Sequence, residues 1–312
     1  MIVFVPRLSS RGPRGMSNTG SPKRHKHDTE DTGGAPLETG RSSDGARRLL
    51  VLAVDTATDA RSVCVARGRE TLSLIKERET KAGASVVLSL IDEALRSAGA
   101  SFEELELFAV ACGPGSFTGI RAGLATVKAF AAMGRRLVAP VPTLHAVALA
   151  AGTSERTVAA IPAGRGEVFT QLLEVTPVGA VRELNEPAHL SPARLVQAAA
   201  AWDENLKWAG GGAWAHRELI AEAAKSAGRA WLELQDAEQS VNVEQLADAG
   251  QPANAGPTYL DAQRRAWSLA PRAESYGEQI ARLGLISAEK GLAVSADEVR
   301  ALYVRPSDAE LK

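Results

Sequence analysis

The densest group of residues with the means to bind a ligand is segment 112–119, which reads Cys-Gly-Pro-Gly-Ser-Phe-Thr-Gly. It stands where an apolar run of strand length gives way to a helical pattern. Glycines permit a tight turn with positive φ, a Ser or Thr can cap the following helix, and free amides at a helix N-terminus bind anions. The spacing matches neither GxGxxG nor a Walker A loop. Chemistry alone therefore leaves two interpretations open, a structural strand-to-helix turn, which is favoured, and a phosphate-binding loop made by Gly113, Gly115, Ser116, Thr118 and Gly119.

A second candidate follows the first predicted strand. Residues 49–55 form a continuous apolar run that ends in Asp55, and Thr56 and Thr58 come directly after it. A carboxylate with neighbouring hydroxyls can serve a metal ion and phosphates, but Asp and Thr are also common turn formers. Taken alone, this signal is weak.

The elements that must position these loops are read from the hydrophobic pattern. Three strands in sequence precede an alternation of helices and strands, which fits an actin-like (ASKHA, ribonuclease-H-like) α/β fold. A doubly wound Rossmann sheet would alternate from the start. The predicted elements are a strand at 49–55, a hairpin of 62–66 and 71–76, a helix at 85–98, a strand at 105–112, a helix at 118–133 and a strand at 137–141.

The later part of the chain predicts a second, shortened lobe that repeats the first. Its predicted elements are strands near 157–164, 166–175, 180–184 and 207–209 and helices near 191–202, 214–227 and 276–290. Residues 228–272 show little periodicity. We therefore predict a disordered extension at 1–48, a first, partner-binding lobe at 49–152, and a second lobe with a C-terminal segment at 153–312.

Composition excludes several classes of protein. Residues 1–48 hold 9 Lys and Arg against 5 Asp and Glu, and 21 of them are Gly, Pro, Ser or Thr, which predicts disorder wherever translation starts, at Met1 or Met16. The remainder is mildly acidic, which disfavours a stand-alone RNA-binding module. The chain has two cysteines without zinc spacing and no HExxH motif, and its apolar runs are shorter than the roughly 20 residues of a membrane span. These features predict a cytoplasmic protein with no metal, no cofactor and no membrane contact.

Four segments resemble the TsaB (YeaZ) family, the partner subunit of the bacterial tRNA threonylcarbamoyladenosine machinery. They are LAVDTATDARSVCVA, ACGPGSFTGIRAGLATVKAF, PAGRGEVF and ALYVRPSDAE. The resemblance implies an actin-like two-lobed fold and a non-catalytic subunit. It also implies that this subunit dimerises with and activates a TsaD-like transferase, which forms N6-threonylcarbamoyladenosine (t6A) at tRNA position 37. Further implied partners are a TsaE-like ATPase and tRNA, the latter through the complex only. Whether the chain alone forms a homodimer or a monomer is left open by the sequence.

The second lobe departs from the family pattern. Family members often read Asp-Ala-Arg-Arg-Gly-Glu-Val-Tyr there, and in this chain Pro162 and Gly164 replace the Asp and the first Arg. The matching part of the motif is Arg165, Gly166 and Glu167. An ATP site of this fold would need an acidic residue at the position of Pro162, and proline cannot coordinate magnesium.

The two helices of the first lobe are the candidates for partner binding. The apolar arc of helix 85–98 is wider than packing on one sheet requires, and helix 118–133 carries small residues that let another helix approach closely. The alternative is that both helices pack only within their own lobe. The predicted interface residues are Val87, Ile91, Ala94, Ala98, Ala122, Gly123 and Thr126.

A second functional class stays open at this point. The chain could be an enzyme acting alone, either an ATP-dependent phosphotransferase of the actin-like fold or a glycoprotease-like peptidase. The missing paired His motif and the missing second-lobe Asp favour the non-catalytic subunit.

Overall fold

The computed structural model describes residues 48–77, 84–202, 205–235 and 266–304. Apart from Arg48, the predicted extension 1–48 lies outside the described residues, as does most of segment 228–272. The described residues form two mixed sheets with helices packed on them. One cluster of the hydrophobic core contains the first sheet and reaches residues of β6, β7 and β10, and a second cluster lies within the second lobe.

The first sheet has the strand order β3-β2-β1-β4-β5. Strands β1, β2 and β3 pair antiparallel, whereas β1, β4 and β5 run parallel. All residues of β1 and β4 are buried, because helices cover both faces, and this explains their unbroken apolar sequences. The strands are β1 (Leu50–Asp55), β2 (Ser62–Arg67), β3 (Glu70–Lys76), β4 (Leu107–Gly113) and β5 (Leu137–Pro142).

Helices α1 (Ala84–Ala98) and α2 (Phe117–Gly134) lie side by side on one face of this sheet. Ser116 caps α2, since its side chain accepts a hydrogen bond from the Gly119 amide. Helix α3 (Thr143–Ala150) follows β5 and contacts strands of both sheets.

The second sheet repeats the plan of the first. Its order is β11-β12-β10-β6-β7-β8, with β9 paired to β7. Here too three antiparallel strands (β6 to β8) continue into parallel ones. The strands are β6 (Ser154–Gly164), β7 (Glu167–Val175), β8 (Val181–Glu183), β9 (Ala188–Leu190), β10 (Leu206–Ala209), β11 (Ala230–Glu233) and β12 (Ala266–Leu269). This topology confirms the predicted actin-like α/β fold with two lobes.

Three helices of the second lobe are α4 (Pro192–Ala201), α5 (Gly211–Ala215) and α6 (Arg217–Ser226). The buried rings of Trp208 and Trp267 stand 5.3 Å apart at the centre of this lobe. Aromatic pairs at this separation add to the stabilisation that comes from apolar burial.

The last helix, α7 (Gly277–Glu289), returns to the first sheet and covers the face opposite α1 and α2. Ala109 of β4 points to α7, where a Cβ on Gly284 would lie 2.5 Å from its methyl group. The next strand residue, Phe108, points to the other face, where Phe102 joins it to Phe130 of α2. The domain boundaries stay a prediction, but α7 itself packs with the first lobe.

Within the described residues, no helix is long and apolar enough to cross a membrane.

Candidate functional site

The Asp55 carboxylate is used inside its own turn. Its Oδ1 accepts hydrogen bonds from the amides of Ala57 (2.9 Å) and Thr58 (3.3 Å), and its Oδ2 accepts one from the Thr58 hydroxyl (2.6 Å). Burial raises the pKa of this carboxyl to about 6, although the hydrogen bonds from Thr58 and Ala57 lower it in part. Asp55 therefore fixes the turn after β1.

Segment 113–119 packs directly against that turn. The Thr56 hydroxyl donates to the Gly119 carbonyl (2.7 Å), and the Ser116 amide donates to the Ala57 carbonyl (2.8 Å). A Cβ on Gly119 would lie 1.8 Å from the Thr56 carbonyl oxygen, so only glycine fits without movement of the backbone. These contacts account for the glycine-rich motif as a strand-to-helix turn.

A cleft of about 500 Å³ separates the two lobes beside these loops. Of the predicted loop residues, Thr58, Gly115 and Ser116 line it. Gly113 instead faces the C-terminal segment, where its Cβ would meet the Leu302 carbonyl. Pro162 lines the opposite, second-lobe wall. Three of the residues singled out in the sequence thus lie at the cleft, and Leu302, Tyr303 and Val304 form a further, apolar C-terminal wall.

The second-lobe motif forms the turn between β6 and β7. Arg165 and Gly166 are exposed, and their φ angles of 52° and 80° lie in the left-handed region. The Glu167 carboxylate lies beside His189 of β9, with 2.8 Å between Oε2 and Nε2. The His189 ring is tilted by 43° against that of Phe169, which lines the cleft, with 5.0 Å between the ring centroids. His189 was not predictable from the sequence, because β9 has only three residues and no visible periodicity.

Several predicted interface residues are buried within their own lobe. Val87, Ile91 and Ala94 are buried in the core of their own lobe. The Ser73 hydroxyl of β3 donates to the Ala94 carbonyl, which holds this side of α1 against the sheet. The expectation that these side chains face away from their own sheet is therefore wrong. A wide apolar arc does not reveal which of its stripes faces the sheet.

The same correction applies to part of α2. Gly123 and Thr126 are buried, and Gly123 lies against the Thr56 side chain. Ala98 and Ala122 are half-buried.

Among the exposed residues of the two helices, five with apolar, small or stacking side chains define what we call the outer helix face. Leu88 of α1 is 47% exposed, and Ala125 and Ala129 of α2 are exposed. Phe117 is 54% exposed, and the Arg121 guanidinium stacks on its ring at 3.7 Å. The outer helix face consists of Leu88, Phe117, Arg121, Ala125 and Ala129.

The residues that the structure describes contain no group of three or more His, Cys, Asp or Glu side chains placed to hold a metal ion. Arg61 and Glu77 form an ion pair near the N-terminus of α2, with 2.8 Å between Nη1 and Oε2. Neither was singled out in the sequence, because single charged residues near strand ends resemble ordinary surface residues.

Comparisons with known proteins agree with this architecture. The family model described as TsaD, tRNA N6-adenosine threonylcarbamoyltransferase, matches residues 77–259. The tRNA threonylcarbamoyladenosine biosynthesis protein TsaB of Haemophilus influenzae is 36% identical over 127 residues, which cover 39% of this chain and 53% of that protein. TsaB of Escherichia coli is 32% identical over 124 residues, with coverage of 39% and 53%. The chain belongs to the family of this model, and within it to the TsaB/YeaZ members.

The solved structure of YeaZ from Pseudomonas aeruginosa covers 82% of this chain and 100% of that chain, at 24% identity and a TM-score of 0.57. At 24% identity, this structural similarity shows the fold alone. The chain spans about half the length of the curated TsaB relatives that it matches. The predicted membership of the TsaB/YeaZ family is confirmed.

Proposed function

We propose that the chain is a non-catalytic subunit that pairs with a TsaD-like transferase and supports the formation of t6A at position 37 of tRNA. The observation that carries this proposal is its membership of the family, whose model is named for the transferase and whose curated relatives are named for t6A biosynthesis. The buried Asp55 carboxylate agrees with it, since both oxygens accept hydrogen bonds within the turn and Asp55 is not among the residues that line the cleft.

The outer helix face is the docking surface in this proposal. Ala125 and Ala129 have short exposed side chains one helical turn apart, so a partner helix can approach at the short end of the usual 8–10 Å range. Leu88 adds exposed apolar area that gains from burial. The turn of Asp55 and the segment 113–119 hold the N-terminus of α2 and so fix the shape of this face.

The remaining partners follow from the same proposal. A TsaE-like ATPase would act on the assembled pair, and tRNA would be contacted through the complex. A homodimer of the isolated chain stays a prediction.

The test is binding to the TsaD-like subunit of the same cell, measured by calorimetry, together with t6A formation in a reconstituted system. Ala129→Glu places a carboxylate in the proposed interface, where desolvation should weaken binding about 100-fold. The isolated variant should melt like the wild type, because position 129 is exposed.

Ala200→Glu is the matched control, since Ala200 is exposed on α4 of the second lobe. It should bind and support modification normally. Absence of binding by the wild type would contradict the pairing, and normal binding by Ala129→Glu would contradict the outer helix face as the docking surface. Ile91→Glu is unsuitable for this test, because Ile91 is 3% exposed and its replacement should unfold the first lobe.

A further inference from the structure

A small pocket opens between α1 and the N-terminus of α2. Its volume is about 50 Å³, which is under twice the share of one water molecule in the liquid. Val86, Val87 and Leu90 of α1 give it an apolar wall, and Ala122 of α2 lies among the residues that line it. The pocket has about a tenth of the volume of the cleft between the lobes, which suits a single short side chain.

One oxygen atom in this pocket lacks a partner among the described residues. Glu77 lines the pocket with only 9% of its side chain exposed, and its Oε2 accepts a hydrogen bond from Arg61 at 2.8 Å. Its second oxygen, Oε1, is buried, and no group in the described part of the chain donates a hydrogen bond to it. A buried carboxylate oxygen without a hydrogen-bond donor costs free energy. A partner that covers the pocket would also exclude water as a donor, so it would have to supply a donor itself.

The charges around the pocket select the kind of donor that fits. Arg61 already balances the charge of Glu77. Thr118 and Gly119 also line the pocket, and they belong to the first turn of α2, where the helix dipole is positive. A Lys or Arg side chain would be repelled by Arg61 and by the positive N-terminus of α2. A neutral donor can bind the free oxygen without this repulsion.

We propose that this pocket is a socket for one short neutral donor side chain, a hydroxyl or carboxamide, carried by the partner subunit that docks on the outer helix face. The inference rests on the proposed function and adds to it a specific point of recognition. The donor satisfies Glu77 Oε1, and the apolar wall packs around the rest of the side chain.

Two variants test the socket through their dissociation constants with the TsaD-like subunit. Glu77→Gln keeps the size of the side chain, but with its oxygen bonded to Arg61 its NH₂ group would face the donor. Ala122→Leu fills the pocket from the side of α2. Each should weaken binding tenfold or more. Glu174→Gln is the matched control, since Glu174 pairs with Arg182 at 3.1 Å in the second lobe, and it should bind like the wild type.

Thermal melting of each isolated variant accompanies the binding data. If Glu77→Gln melts lower than the wild type, Ala122→Leu alone decides the question. Normal binding by both variants would overturn the socket and leave a pocket that holds water only. Weakened binding by a folded Glu77→Gln but not by Ala122→Leu would also overturn it, because no side chain would then enter the pocket.

The Ala129→Glu variant separates this inference from the proposed function. Failure of the wild type to bind overturns both. Normal binding by Ala129→Glu with weakened binding by the two socket variants keeps the socket and relocates the rest of the docking surface.

Discussion

The two lobes share a topology, and their corresponding loops differ in how tightly they are packed. In the first lobe, the turn after β1 is buried. Asp55 accepts hydrogen bonds within this turn, and Thr56 links the turn to segment 113–119. In the second lobe, the turn after β6 is open, and a Cβ on Gly164 or Gly166 would meet nothing within 4 Å.

The strand-to-helix loops of the two lobes are more alike than these turns. A Cβ on Gly210 would lie 2.4 Å from the Ala160 carbonyl, and one on Gly212 would lie 2.9 Å from the backbone of the same strand. Close approach of backbones is therefore required in both lobes, whereas a packed turn is required only in the first. This difference explains why the departures at Pro162 and Gly164 are accommodated without disturbing a core.

The largest expected effect is that of Gly119→Ala in the packed loop. The added methyl group would lie 1.8 Å from the Thr56 carbonyl oxygen, so the backbone of one loop must move. We expect a loss of about 3 kcal/mol or more in the free energy of unfolding. Urea denaturation measures it, and a loss below about 1 kcal/mol would show that the loops are not tightly packed.

Asp55→Asn tests the burial of the first turn through its pH dependence. Because burial raises the folded-state pKa from 3.8 to about 6, the folded chain keeps a proton that the unfolded chain has lost between these values. Stability from this group is therefore fully present below the unfolded pKa and falls by about 3 kcal/mol as pH rises through the folded pKa. In Asp55→Asn this component should disappear.

The measurement compares unfolding free energies at about pH 4 and about pH 7 for the wild type, for Asp55→Asn and for Asp59→Asn. The last is the control, because the Asp59 side chain is half exposed and pairs with Arg272 at 3.2 Å. Parallel pH curves for wild type and Asp55→Asn would contradict a buried, titrating carboxyl.

The smallest expected effect is that of Gly164→Ala in the open turn. The residue has a φ of +86°, which strains any side chain, but the surrounding space is free. The expected cost is about 1 kcal/mol from the backbone alone. A cost equal to that of Gly119→Ala would remove the distinction between the packed and the open turn.

Much of the first lobe was predictable because its elements have strong periodicity. The strand pattern at 49–55 and the helix pattern at 118–133 agree with β1 and α2 to within a residue or so at each end. Helix α3 was missed for a physical reason. It contacts strands of both sheets, so it has no polar side and no 3.6-residue alternation to detect.

The site was predictable only in part. The residue types and spacing in segment 113–119 indicated a turn. The structure adds the hydrogen bonds that join the backbone of this segment to Ala57 and Thr56. The orientation of α1 was not predictable, because Val87 and Leu88 are neighbouring apolar residues and only packing decides which is buried. The pairing of Arg61 with Glu77 depends on the register of β2 and β3, and the sequence does not state that register.

The return of α7 to the first sheet has a consequence for the order of assembly during synthesis. Strands β1 to β5 leave the ribosome long before Gly277–Glu289, so the face that contains Ala109 must wait, largely uncovered, while the second lobe is being made. The lobe that begins to form first is completed last. A nascent chain with this connectivity exposes apolar strand surface for the time needed to translate the intervening residues, and such surface is what chaperones bind and what aggregates in their absence.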